Sequence, residues 1–134
     1  MNRVADLIAQ TLHAHGVRLA FGMPGGEVVT LIDALEKAGI RFVLCRHETA
    51  AAIMAAGASA ITGAPGLLVT TLGPGFTNAV NGIADAAQEH APLIVMSGVV
   101  EHGLRGALHP SDFPAGRARR AHRQGRVRDR DQRR

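Results

Sequence analysis

Gly66-Leu67-Leu68-Val69-Thr70-Thr71-Leu72-Gly73-Pro74-Gly75-Phe76-Thr77-Asn78 is the stretch on which the fold turns. Gly66–Thr71 is apolar or β-branched without polar alternation, the pattern of a strand covered on both faces. Gly73-Pro74-Gly75 then turns the chain into a helix that runs to about Glu89. The same unit recurs on either side. Upstream, Val17–Phe21 is a short apolar run stopped by Gly22-Met23-Pro24-Gly25-Gly26. A helical stripe of Val28, Leu31, Ile32 and Leu35 follows, closed by Gly39. Ile40–Cys45 reads as a strand, residues 48–62 as an Ala-rich helix, and Leu93–Met96 as a last strand. Ahead of all of them, Val4, Leu7, Ile8 and Leu12 place a helix over residues 3–15, ended near Gly16.

Helices alternating with wholly apolar strands predict an α/β fold: a doubly wound parallel sheet with helices on both faces. One domain over residues 1–105 is expected, followed by an Arg-rich tail over 106–134 with no periodicity and no face to bury, read as disordered or out of frame. The small side chains of residues 48–62 should let a neighbouring backbone approach closely.

Composition sets further bounds. The chain has 134 residues, 46% of them apolar but only 3% aromatic, so the core must be aliphatic and rich in Ala. Its net charge of +4 is unevenly placed. Arg3, Arg18, Lys37, Arg41 and Arg46 face seven acids in residues 1–100, whereas residues 101–134 carry ten Arg against four acids. The folded part is therefore mildly acidic, which argues against a basic nucleic-acid-binding domain; only the tail leaves nucleic acid open as a partner. Cys45, the single cysteine, lies in an apolar run and is expected to be a buried reduced thiol. No stretch approaches the roughly 20 apolar residues of a membrane span, and the N-terminus lacks the apolar core of a signal peptide. The expectation is a cytoplasmic protein with no membrane partner.

Two glycine-rich turns, Gly22–Gly26 and Gly73–Gly75, follow strands and precede helices, where backbone passes close to ligands. Neither is a P-loop, since no Gly-Lys-Ser/Thr closes it, and neither is G-x-G-x-x-G. A small nucleotide-binding module remains an alternative, weakened by the lack of a Lys or an acidic ribose partner at the usual spacing. Arg46-His47-Glu48 stands at a strand end, the place where open parallel sheets bind ligands. A carboxyl group removed from water there favours its protonated form and can share a proton with a ligand nitrogen. The plainer reading of Glu48 is a helix N-terminal acid favoured by the dipole. His13, His15, His47, His90 and the acids show no spacing of a metal site, so no metal ligand is assigned.

Taken together, Phe21-Gly22-x-Pro24-Gly25-Gly26, Arg46-His47-Glu48-x-Ala50, Gly73-Pro74-Gly75-x-Thr77-Asn78 and Ala91-Pro92-Leu93-Ile94-Val95-x-x-Gly98 follow a known order. Over residues 3 to about 105 the chain resembles the N-terminal, pyrimidine-binding domain of thiamine diphosphate enzymes. The group is that of acetolactate synthase, pyruvate oxidase and benzoylformate decarboxylase, with the synthases most similar. The resemblance implies that Glu48 is catalytic, hydrogen-bonding N1′ of the aminopyrimidine and favouring its imino tautomer, so that the cofactor can attack a 2-oxo acid. It implies that Pro24 and Gly25 lie against the pyrimidine and that Thr71 and Asn78 line the cofactor and substrate side. Two positions depart from the group: Thr49, where many members have Gln, and Gly98-Val99, where many synthases have Gly-Gln.

The resemblance also implies a second domain binding diphosphate and Mg²⁺, for which no motif is present in the chain. Two arrangements would supply it: a homo-oligomer of a longer enzyme, or a separate chain that makes this one the small subunit of a split decarboxylase. Alone, this chain is expected to bind the aminopyrimidine half only and to be inactive. Past Gly106 the resemblance fades. Back-translated and read one base later, Ala107–Phe113 permits Arg-Tyr-Thr-His-Gln-Ile-Phe, the run its relatives would continue with, and Ala121-His122-Arg123-Gln124 permits Pro-Ile-Val-Lys. The tail is thus expected to be a frameshift product and the enzyme a truncated one.

Overall fold

The computed structural model describes residues 3–99. The expected tail, and the domain boundary at residue 105, lie outside the described residues. Among the described residues, four helices and four strands alternate in chain order: α1 (Val4–Ala14), β1 (Leu19–Gly22), α2 (Val29–Lys37), β2 (Arg41–Leu44), α3 (Glu48–Thr62), β3 (Gly66–Thr70), α4 (Pro74–Gln88) and β4 (Leu93–Ser97). A single 3₁₀ turn, Gly26–Val28, leads into α2. All strand pairs are parallel, in the order β2-β1-β3-β4.

Side chains alternate across the sheet into two aliphatic cores. Ala20, Leu67 and Val69 face Ala9 and Leu12 of α1 and Val28, Ala34 and Leu35 around α2. Phe21 and Leu68 face the opposite way, onto Ala51, Ala52 and Ala55 of α3 and Ala79 of α4. The doubly wound reading is therefore correct, and the reason is visible in β3, every residue of which is buried. Each fully buried Leu or Ile, such as Leu35, Ile40, Leu67 and Leu68, contributes about 1.5–3 kcal/mol by leaving water. Cys45 is buried and unpaired, as expected.

Small residues decide how closely the layers approach. A Cβ on Gly82 of α4 would stand 2.6 Å from Ala52 Cβ and 2.8 Å from the Thr49 carbonyl oxygen of α3. Gly66 passes so close to Ala55 that a methyl group would overlap its carbonyl oxygen. The Ala-rich helix thus does receive neighbouring backbone, from both α4 and β3. One boundary shifts: Gly22, expected to stop the strand, belongs to β1 and pairs with Leu44 and Val69. It stays in register because, lacking a side chain, it clears the Val69 carbonyl oxygen.

Outside the cores, Arg3 reaches Asp6 at 2.8 Å and Asp33 at 3.1 Å, and Lys37 reaches Asp33 at 2.7 Å. Of these, the Arg3–Asp33 pair links the start of α1 to α2, and all are solvent-accessible, where such pairs add little stability.

Candidate functional site

The strand order locates the site. From β1 the chain moves outward to β2, then returns past β1 to β3 on its other side. The loops leaving β1 and β3 therefore flank a switch point beyond the carboxyl ends of the strands, the place where open parallel sheets bind ligands. Both glycine-rich turns lie there. Gly25 sits so close to Thr71 that a Cβ would overlap the threonine hydroxyl. Pro24, next to it, is exposed.

Glu48 enters from the adjacent strand. Cys45-Arg46-His47 follows β2, and His47 caps α3, its Nδ1 accepting the Thr49 N–H at 3.2 Å. The cap fixes the first turn of α3 and with it the direction of Glu48, only 3% exposed. The Asn78 side-chain amide of α4 donates to Glu48 Oε2 at 3.2 Å. Among the described residues, no other side chain hydrogen-bonds this carboxyl group, so Oε1 remains available to a ligand. Thr49, which departs from the group pattern, donates its hydroxyl to the Asn78 carbonyl oxygen. It joins the two helices that carry Glu48 and Asn78.

Gly75 completes the contact. A Cβ there would overlap the Thr71 methyl group and stand 3.3 Å from Glu48 Oε1. The structure thus brings Gly25, Thr71, Glu48 and Asn78 into one chain of neighbours around Gly75. Pro24 borders this group on the solvent side.

One residue escaped the sequence reading. Glu27, in the 3₁₀ turn before α2, accepts the Thr71 hydroxyl with Oε1, and the same oxygen accepts the Leu72 N–H at 2.7 Å. Gly98, just beyond β4, packs on its stem, with a Cβ there 2.9 Å from Oε1. No local periodicity marks this contact, because its partners lie 44 and 45 residues away. Burial pushes the Glu27 carboxyl up, but hydrogen bonds from Thr71, from the Leu72 N–H and from its own backbone outweigh it and hold the group below the usual carboxylate range. A carboxyl group lowered on folding contributes stability that is present above its ordinary value of 4.5 and lost as the pH falls through the folded value. The Glu27→Gln variant should therefore show a flatter loss of melting temperature between pH 5 and pH 3 than the parent chain (a window of about one unit either side of the ordinary carboxyl values). Parallel acid limbs for the two proteins would refute it.

Residues 2–126 match the family described as "Thiamine pyrophosphate enzyme, N-terminal TPP binding domain". The chain belongs to this family. Members of the thiamine pyrophosphate enzyme family similar to it include acetolactate synthase isozyme 3 large subunit of Escherichia coli, 46% identical over 103 residues, or 76% of this chain and 18% of the relative. Acetolactate synthase large subunit of Lactococcus lactis is 45% identical over 97 residues, covering 72% and 17%. The catabolic acetolactate synthase of Raoultella terrigena is 40% identical over 104 residues, covering 78% and 19%. The chain spans less than a fifth of the length of these relatives. It is thus a thiamine diphosphate enzyme N-terminal domain similar to acetolactate synthase large subunits, and its family implies use of that cofactor.

Proposed function

We propose that this domain is the aminopyrimidine-binding half of a thiamine diphosphate site, in an acetolactate synthase-like carboligase or decarboxylase of 2-oxo acids. The observation that carries the reading is Glu48: a carboxyl group almost removed from water, with Oε2 fixed by Asn78 and Oε1 available at the ligand end of the sheet. That donor set suits an aminopyrimidine, whose ring nitrogen needs one oxygen able to give and take a proton. When bound, thiamine diphosphate supplies the electron sink for the carbonyl carbon of a 2-oxo acid.

The chain's own residues then divide the work. Glu48 Oε1 holds or releases the proton shared with the pyrimidine nitrogen, and burial keeps water from competing for it. Asn78 fixes the plane of the carboxyl group. Pro24 and Gly25 offer a backbone edge to the ring, and Thr71 borders the side facing Glu48. The diphosphate and Mg²⁺ are bound by another domain or a separate chain, without which this one does not turn over. Solvent-facing Leu44 on the sheet edge, with Ile53, Met54 and Ile61 on α3, supports association with a second copy or with that chain. No described helix is long and apolar enough to cross a membrane, and a cytoplasmic setting is part of the proposal.

Titration of the ¹⁵N-labelled chain tests the reading. Thiamine and thiamine diphosphate should both give saturable amide shifts centred on residues 25, 48, 71 and 78. Equal shifts with ATP, or none with thiamine, would overturn it in favour of a phosphate-binding module.

A further inference from the structure

Thr71 touches the Glu27 carboxyl group and is separated from that of Glu48 by Gly75. Its hydroxyl donates to Glu27, while its methyl group lies over Gly75, whose missing Cβ borders Glu48 Oε1. A threonine hydroxyl and methyl group differ little in size, so sterics alone do not choose which of them faces Gly75. Rotation about χ1 would exchange them among staggered positions. The acceptor decides. Glu27 is held in turn by the Leu72 N–H at 2.7 Å and by the backbone of Gly98 against its stem. Its carboxylate thereby joins the segments that follow β1, β3 and β4.

We infer that Glu27 is a positioning residue: by taking the Thr71 hydroxyl it turns the Thr71 methyl group, and not a hydrogen-bonding oxygen, toward Gly75 and Glu48. Without it, the hydroxyl is free to rotate toward Glu48 Oε1 and to occupy the oxygen meant for the ligand. The structural part stands on the hydrogen bonds alone, whereas its effect on cofactor binding rests on the function proposed above.

The test uses the full chain with ¹³C-methyl threonine. Three-bond couplings from the Thr71 methyl carbon to its own backbone nitrogen and carbonyl carbon report χ1. One rotamer is expected in the parent and in Glu27→Gln, which keeps an acceptor oxygen, and averaged couplings in Glu27→Ala. Should Glu27→Ala fail to fold, Glu27→Asp, whose carboxylate is retracted by one methylene, gives the same readout. Couplings unchanged in the variant overturn the inference.

A cycle with thiamine diphosphate adds the consequence for binding. Glu27→Ala should weaken affinity about tenfold when Thr71 is present and by less than about twofold in the Thr71→Val background, because the two residues act as one unit. A purely structural role, through the Leu72 N–H, would give the same loss in both backgrounds and would sink the proposal. If the parent chain binds no thiamine diphosphate, the functional reading fails while the couplings still decide the placement of Thr71.

Discussion

Glu48→Gln is expected to remove proton exchange chemistry while making the domain more stable. The two signs separate a functional carboxyl group from a helix N-terminal acid. As a first-turn acid of α3, Glu48 gains about 0.3–1 kcal/mol from the helix dipole, which Gln would forfeit. Against this stands its burial. A carboxyl group 3% exposed with one side-chain hydrogen bond, from Asn78, is under-satisfied where it stands, and replacements at such functional positions commonly gain about 0.5–2 kcal/mol. Burial wins, and denaturant unfolding should show Glu48→Gln to be about 1 kcal/mol more stable. Exchange of the thiamine diphosphate C2 proton in D₂O, followed by NMR with the diphosphate-binding half present, should fall by about 10²–10⁴-fold. Loss of stability together with intact exchange would leave Glu48 as no more than a first-turn acid favoured by the helix dipole.

The second large effect concerns Gly22, where β1 meets β3. Gly22→Ala is expected to cost about 3 kcal/mol or more, since the new methyl group would overlap the Val69 carbonyl oxygen and neither strand can shift without breaking its ladder. Gly57, on the open side of α3, provides the contrast. Nothing lies near its Cβ position, so Gly57→Ala should stabilise by about 0.5–1 kcal/mol through helix propensity and a less free unfolded chain. Urea midpoints measured side by side would check both, and a Gly22→Ala loss below that of an ordinary surface change would refute the close approach.

Much of this was legible before any coordinates. Uninterrupted apolar runs at Gly66–Thr71 and Leu93–Met96 mark covered strands because parallel sheets hide both faces, and the glycine turns mark where each strand ends. Glu48 stands out because it follows an apolar run and opens a helix, the two conditions that place a carboxyl group at the ligand end of a sheet. Thr49 was visible only as a departure from a pattern; its use, tying α3 to the Asn78 carbonyl of α4, depends on how two helices cross.

The sequence by itself determined the elements and their parallel arrangement, and it put Glu48 just past a strand end, at the start of a helix. These follow from local period and turn chemistry, which need no knowledge of distant partners. Tertiary structure alone decided the strand order β2-β1-β3-β4 and, through it, that the loops after β1 and β3 meet. That meeting sets Glu27 against Thr71 and Leu72 across more than forty residues. No local pattern encodes such a contact, because it exists only once the sheet has chosen its neighbours.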